Sequence, residues 1–372
     1  MAQYCPQDIK DPASIAACDP VIDHGPYAKV VFGRDAVQDI GRHLEEFGAV
    51  CPAVLCTPTR VSEGEKIASL FGAKAHVVAR AVMHTPVEIS DAAAAEVTAR
   101  GSDLLIAIGG GSAIGLGKAL VKRTGLKLVA IPTTYSGSEI TPTMGQRSNG
   151  EKNTERDDRF RPSAIIYDPA LTLALPTSAS TASGMNALTH AVWTLCASED
   201  EDLRWAAKRA AELFVRALPQ IKAEPASYAA RAEALYASWL TGYCVSEAKM
   251  PLHYRICHAL GGAFDTPHAE THAVLLPHTL AFTGPACARA VEELTTIFGG
   301  DPAAEIQALV GQLGLPASLA EVGLPEDGID HIADLVCTVP YPNPRAFDRA
   351  DVAALLRRAW SGEQARLDDQ YA

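Results

Sequence analysis

The sequence has no basic block. Its 32 Lys and Arg residues are outnumbered by 44 Asp and Glu, giving a net charge of −12. Positive charge is nowhere clustered, which disfavours nucleic acid or an anionic membrane surface as partner. A small anionic substrate stays open, because a few arginines can hold one locally. Long hydrophobic runs are missing too: no stretch approaches ~20 unbroken apolar residues. The start, MAQYCPQDIKDPASIAACDP, lacks a basic region followed by an apolar one. The expectation is a soluble, cytoplasmic protein without membrane contact. There is no CxxC pair and no regular cysteine spacing. Nine cysteines, an odd count, in a chain large enough not to need disulfide staples read as reduced and mostly buried small hydrophobes.

What is present is a chain of 372 residues, 48% of them apolar, a length that predicts about two domains. After a polar, proline-bearing leader to about residue 25, AKVVFG reads as a strand, followed by an amphipathic helix from Ala36 to Phe47. AVLCT is an apolar run fit for a strand covered on both faces and ends at Thr57-Pro58; the next helix runs into AKAHVVA. DAAAAEVTARG reads as helix, DLLIAIGGGS as strand into glycine turn, and KLVAIPTT as another buried strand. Such alternation predicts an open parallel sheet with helices on both faces. From about Pro176 the texture changes to long Ala/Leu-rich helical segments such as LRWAAKRAAELFVRAL and YAARAEALYASWLTGYCV. The division expected is an α/β domain over 1–176 and an all-α domain over 177–372. QRSNGEKNTERDDRFRP, polar and turn-rich, reads as a hairpin or flap where they join.

Two motifs carry chemistry. Gly109-Gly110-Gly111-Ser112 follows the buried run Asp103–Ile108 and precedes a helical pattern. Backbone N–H groups of such a turn can approach a pyrophosphate at a helix N-terminus. G-x-G-x-x-G would need glycine at Ile114, and a Walker A lysine would be followed by Ser or Thr, whereas Lys118 is followed by Ala119. The turn is therefore neither an ordinary Rossmann loop nor a P-loop, and tight strand–helix packing is its plain alternative. Thr133-Thr134-Tyr135-Ser136-Gly137-Ser138-Glu139 supplies a second row of hydroxyls at a strand end, where ligands of open α/β sheets collect. The second motif is HYRICHALGGAFDTPHAETHAVLLPH, residues 253–278, with five of the chain's 11 histidines, preceded by SGMNALTHAV, where Asn186 and His190 stand one helical turn apart. Dense histidine points to metal or proton chemistry. A zinc or iron site also wants an anionic ligand, yet Asn186 stands where a carboxylate would be expected and Tyr254 stands among the histidines.

GGGSAIGLGKAL, IPTTYSGSEITP, IIYDPALTLALP, SGMNALTHAV and CHALGGAFDTPHAETHAVLLPH, in this order, resemble the iron-containing alcohol dehydrogenase superfamily, and within it the maleylacetate reductases. The likeness runs from about Ala28 to Trp360. It implies a dehydroquinate synthase-like fold, an N-terminal dinucleotide-binding α/β domain and a C-terminal helical domain, with the active site in the cleft between them. It also implies NADH or NADPH as cofactor, a homodimer, and an oxidoreductase of aromatic-compound catabolism. Carried over by position, Gly109, Gly110, Gly111 and Ser112 would bind the pyrophosphate, and Thr133, Thr134, Tyr135 and Ser138 would line the path to the nicotinamide ribose. Thr57, Pro58 and Lys152 complete the cofactor set. The positions of the metal ligands of relatives are Asn186, His190, Tyr254 and His268, and no metal is expected. Where that branch usually reads LHHKLCH, this chain reads LHYRICH, so Tyr254 replaces a histidine; Trp193 stands where relatives tend to have an acidic residue.

The catalytic set implied is His258, Tyr254, His190, Arg255, His268 and His253. His258 is the nicotinamide-side proton donor, with a buried histidine bonded to a carbonyl as its plain alternative. Arg255 is a bidentate grip on a carboxylate or else a solvated helix arginine. His272 and His278 read as supporting or helix-end residues, Arg345 as a weaker anion site, and His84 as near the cofactor or as packing. The leading expectation is an NAD(P)H-dependent reductase of maleylacetate or a similar unsaturated oxo-dicarboxylate. The alternatives are a non-reducing cyclase, lyase or isomerase on this scaffold and a metal-free alcohol or aldehyde reductase.

Overall fold

The computed structural model describes residues 21–24, 27–148 and 151–367, so most of the leader lies outside it. One compact unit runs through Leu175 and takes back Ala226–Gly242; the other comprises Pro176–Pro225 and the chain from Tyr243 onward.

The described residues of the first unit form nine strands: β1 Val21–His24, β2 Lys29–Phe32, β3 Pro52–Leu55, β4 His76–Val78, β5 Leu104–Gly109, β6 Leu128–Pro132, β7 Thr143–Ser148, β8 Glu151–Arg156 and β9 Ala164–Tyr167. Seven form one sheet in the order β1-β2-β9-β6-β5-β3-β4, parallel except for β1 at the edge. The apolar runs are continuous because both faces are covered. Ile106, Ile108, Val129 and Ile131 pack on one side with Ile40, Leu44 and Ile67. Leu105, Ala107 and Leu128 pack on the other with Ala93, Val97, Leu116 and Leu120. The helices of its stretch up to Leu175 are α1 Ile40–His43, α2 Val61–Ser69, α3 Val87–Ala99 and α4 Gly111–Thr124.

Two local expectations change. The helix expected over 36–47 is broken into turns, the short α1 and a 3-10 turn over Glu45–Phe47. Asp35 holds a φ of 57° and Gly41 sits mid-segment, where its backbone entropy opposes helix; the spacing still buries Ala36, Val37, Ile40 and Leu44. The polar stretch is a hairpin, β7 with β8, as expected.

The other unit is helical: α5 Thr177–Ala197, α6 Glu201–Ala223, the end of α7 Tyr228–Glu247, α8 Leu252–Phe264, α9 His268–Thr283, α10 Ala288–Phe298, α11 Pro302–Leu313, α12 Gly328–Val336 and α13 Arg349–Ser361. Every residue of α9 from Thr271 to Thr283 is buried, as suits a helix surrounded by others. The expected division at 176/177 put all of α7 with this unit. Most of α7 instead packs with the sheet: the rings of Tyr236 and Trp239 lie 6.0 and 6.4 Å from that of Phe32, and Arg231 is fully buried, bonded to the Tyr135 hydroxyl and the Leu175 carbonyl. Among the described residues no helix is long and apolar enough to cross a membrane.

Candidate active site

In the first unit, β3 leads outward to β4 and the chain then returns to β5 on the other side of β3. Ligands of open α/β sheets gather outside the strand ends at such a reversal. Thr57-Pro58 follows β3 and the glycine turn ends β5. The register sets Gly109 opposite Pro132, and Thr133 N–H donates to the Gly109 carbonyl at 3.0 Å, so the turn and the hydroxyl row lie side by side. Gly109 has a φ of 145°, and a Cβ there would meet Ala113 Cβ at 2.9 Å. A Cβ on Gly110 would meet Thr134 Cγ2 at 2.8 Å, whereas nothing lies within 4 Å of one on Gly111. Glycine is thus required twice by close approach, and the next position opens onto the N-terminus of α4, a cradle suited to a pyrophosphate. Thr133 Oγ1 is buried with no partner among the described residues.

The hydroxyl row is held from beneath. Lys118, on α4 and 1% exposed, donates from Nζ to the carbonyls of Ser138, Thr141 and Thr143 at 2.6, 2.7 and 3.0 Å and to Thr141 Oγ1 at 2.9 Å. Burial pulls Lys118 down to about 7, with Glu139 pushing back up. Burial likewise raises Glu139 to about 7, against the hydrogen bond it accepts from Tyr167. Not every residue of the row faces a ligand. Tyr135 is fully buried and its hydroxyl is engaged by Arg231 and Thr172, which makes it a brace within the unit, not part of a ribose path. Ser138 Oγ lies 3.2 Å from Ser136 Oγ, Ser112 and Thr134 are half-buried, and Pro58 is exposed. Thr57 Oγ1 is 3.0 Å from Thr59 Oγ1. The side chain of Lys152, on β8, is outside the described residues. His84 and Thr85 hold φ of 62° and 44°, and Thr85 Oγ1 would lie 2.7 Å from a Cβ on Gly115 of α4.

In the other unit, α5, α8 and α9 bring rings into one continuous chain. His190 lies 5.6 Å from Tyr254 with the planes 9° apart, Tyr254 lies 5.3 Å from His253, His253 is 4.9 Å from His272, His272 is 4.5 Å from His268, and His268 is 6.4 Å from His258. The buried end holds a short hydrogen bond, His190 Nδ1 to the Tyr254 hydroxyl at 2.6 Å. Burial takes His190 down to about 4, and His258 adds to the effect; burial also pushes the Tyr254 phenol well above its ordinary value. Both partners are therefore neutral at neutral pH. His258 and His268, at the other end, are exposed. Asn186 Oδ1, one turn before His190, and Trp193 Nε1, whose ring is 5.6 Å from His253, are buried without partners among the described residues.

Three expected residues stand outside this chain of rings. Arg255 turns to the Leu335 carbonyl and Thr338 Oγ1, both at 3.1 Å, so it is neither a solvated arginine nor wholly free to grip an anion; its Nε is buried without a partner among the described residues. Arg345 lies over the Phe282 ring at 4.2 Å and donates to the Phe282 carbonyl, and His278 is buried in α9. Cys257 was not singled out from the sequence and is buried beside His253, with its Sγ 3.5 Å from Nε2. The signal was available, since His253 and Cys257 are four apart on a helix and so share a face.

Residues 27–169 match the family described as iron-containing alcohol dehydrogenase, and residues 180–360 match the C-terminal part of the Fe-containing alcohol dehydrogenase family. The chain belongs to the iron-containing alcohol dehydrogenase family. Among its relatives it is 41% identical to the maleylacetate reductase of Burkholderia cepacia over 90% of this chain and 96% of that protein. It is 42% identical to the maleylacetate reductase of Sphingobium indicum over 92% and 97%. The crystal structure of maleylacetate reductase from Agrobacterium tumefaciens superposes with a TM-score of 0.88, at 39% identity, covering 92% of this chain and 99% of that one.

The family name implies iron, and the four positions expected from the resemblance to match its ligands do not fit one here. Asn186, His190, Tyr254 and His268 offer an amide, two imidazoles and a phenol held neutral by burial, so no donor offsets the ion's charge. The His190 nitrogen nearest Tyr254 is already engaged by the phenol. Activity is therefore expected to persist after dialysis against a chelator and to gain nothing from added ferrous iron. About one iron per chain on elemental analysis, with activity lost on its removal, would overturn this.

Proposed function

We propose that this chain reduces maleylacetate, or a closely similar unsaturated oxo-dicarboxylate, with NADH or NADPH, giving 3-oxoadipate in the maleylacetate case. What supports the reading is the likeness to maleylacetate reductases along nine tenths of the chain, joined to a ring cluster in which burial keeps His190 and Tyr254 neutral.

The nicotinamide, when bound, supplies a hydride to the electron-poor double bond conjugated with the substrate carbonyl. The chain's own residues do the rest. Gly109, Gly110, Gly111 and Ser112 hold the pyrophosphate at the N-terminus of α4, and Thr133, Thr134 and Ser138 orient the ribose end. In the tautomer with its proton on Nδ1, His190 donates to the Tyr254 oxygen and leaves the Tyr254 O–H free to stabilise charge developing on the carbonyl oxygen. Neutral donors serve here because a hydrogen bond does not require ionisation. His258, exposed at the far end of the ring chain, returns the proton to the α-carbon, with His268 beside it. Arg255 holds a substrate carboxylate through the donors not committed to Leu335 and Thr338.

NADH and NADPH absorbance followed with maleylacetate, then with simple aldehydes, tests the reading. Rapid oxidation with maleylacetate alone is the expected result. Oxidation only with aldehydes, or with neither, would replace it by an aldehyde reductase or by a non-reducing enzyme.

Cofactor choice follows from the end of β3. Thr57 and Pro58 put no carboxylate at the tip, and such a group would bind the ribose 2′-hydroxyl and repel a 2′-phosphate. NADPH and NADH are expected to bind within about tenfold of each other, or ~1.4 kcal/mol. A thousandfold preference for NADH in titrations would refute this.

A further inference from the structure

Three buried side chains of the helical unit meet in a way the proposed reduction does not use. His253 and Cys257 share one face of α8, and His272 comes from α9. Their relative exposures are 0, 2 and 1%. His253 Nε2 lies 2.9 Å from His272 Nδ1 and 3.5 Å from Cys257 Sγ, and one ligand atom from each of the three lies within 4.8 Å of the others.

The tautomer of His253 follows from its far side. Thr279 Oγ1 is 2.8 Å from His253 Nδ1 and also lies 2.9 and 3.1 Å from the carbonyls of Leu275 and Leu276. Carbonyls only accept, so the single hydroxyl proton goes to one of them and Thr279 accepts from His253 Nδ1–H. Nε2 keeps its lone pair and points it at the other two residues. A ligating imidazole is commonly fixed in this way, by an acceptor on its second nitrogen.

We propose that His253 Nε2, Cys257 Sγ and a ring nitrogen of His272 bind a single divalent cation of borderline softness, zinc being the type. This site is distinct from the four family positions at Asn186, His190, Tyr254 and His268. Unlike those four, the trio contains a group that can become an anion: the cation takes the place of the thiol proton, which leaves to solvent, and of the Nδ1–H that His272 donates to His253 Nε2, which passes to His272 Nε2, a nitrogen without a partner among the described residues. Thiolate and imidazole select zinc or cobalt over magnesium or calcium. Metal bonds of about 2.0 Å to nitrogen and about 2.3 Å to sulfur set tetrahedral partners roughly 3.3 Å apart for two nitrogens and roughly 3.5 Å apart for nitrogen and sulfur. The His253–Cys257 separation already has that value, and the two imidazoles need open by only about half an ångström. No fourth Cys, His, Asp or Glu among the described residues joins the group, so these three are the side-chain ligands.

The test reads metal, not turnover, and so is independent of whether maleylacetate is reduced. The full chain expressed with zinc and purified without chelator should hold about one zinc per chain. Cys257→Ala and His272→Ala should each lower that content at least tenfold, and Asn186→Ala should leave it unchanged. Cobalt-grown wild type should show a sulfur-to-cobalt charge-transfer absorption that Cys257→Ser removes. Zinc absent from the wild type, zinc retained in both alanine variants, or a cobalt spectrum with no sulfur band would each overturn the proposal. The wild-type spectrum decides even where a variant fails to fold.

Discussion

Tyr254→Phe is expected to lower kcat with maleylacetate by at least ~30-fold while leaving the Kd for NADH within about twofold, in line with the hundredfold to thousandfold cost of losing one oxyanion-type donor. The substitution keeps the ring, and with it the stacking on His190 and the contacts to His253 and His272, and removes only the hydroxyl. Two effects then act together. The donor proposed for the developing oxyanion is gone, and His190 Nδ1 loses the partner it holds at 2.6 Å. His190 is buried and kept neutral, its proton affinity lowered to about 4, so it cannot offset the loss by becoming a charged donor near neutral pH. Cofactor affinity is spared because the glycine cradle and the hydroxyl row belong to the other unit. Tyr254→His, which restores the residue usual in the reductase branch, should retain or raise activity. A neutral Tyr254→Phe would make the tyrosine a packing residue. A wild type without maleylacetate reductase activity that gained it through Tyr254→His would place the natural reaction elsewhere.

How far the sequence could be read follows from which residues answer to a simple period. The runs over 104–109 and 128–132 are apolar without interruption because both faces of the sheet are covered, and continuous runs closed by glycine or proline are legible as buried strands. The 36–47 segment has helical spacing of buried residues, yet spacing cannot register that Asp35 turns the chain through a positive φ. The first part of α7 was assigned to the helical unit because its composition matches that of the helices around it. What ties it to the sheet is particular: Tyr236 and Trp239 on Phe32, Arg231 under Tyr135, and Gly242 so close to Gly137 that a Cβ on Gly137 would stand 3.0 Å from the Gly242 backbone. The histidine-rich helices marked the cluster, since five histidines in so short a span have few structural explanations. Tyr135 was misjudged, because a hydroxyl in a ligand-lining motif looks like a contact even when it braces the interior. Cys257 is the free, buried thiol that its composition suggests, and what composition does not register is that a neighbouring helix brings a second imidazole close to it.

Lys118→Met should lower unfolding stability by about 3–5 kcal/mol, since it removes the donor of several buried hydrogen bonds and those made by a charged group are worth about 1.5–3 kcal/mol each. For a chain of this size that is a fall in Tm on the order of 10 °C. Methionine fills a similar volume, so the loss is electrostatic and not a cavity. The one ammonium group donates to four acceptors between Ser138 and Thr143, of which the Ser138 carbonyl also accepts from the Thr141 hydroxyl and N–H, and a buried carbonyl left without a donor costs about 1–3 kcal/mol. Glu139, fully buried, would also lose the neighbouring positive charge that favours its ionised form. The same bonds fix the segment that runs on from Thr133 and Thr134, so a weakened hold on NADH should accompany the lower stability, with a Kd raised at least ~10-fold, or ~1.4 kcal/mol. Thermal unfolding followed by circular dichroism and a fluorescence titration with NADH measure the two. A Tm within ~2 °C of wild type together with an unchanged Kd would mean that the hydroxyl row holds its shape without Lys118, and that the glycine turn alone organises the cofactor end of the sheet.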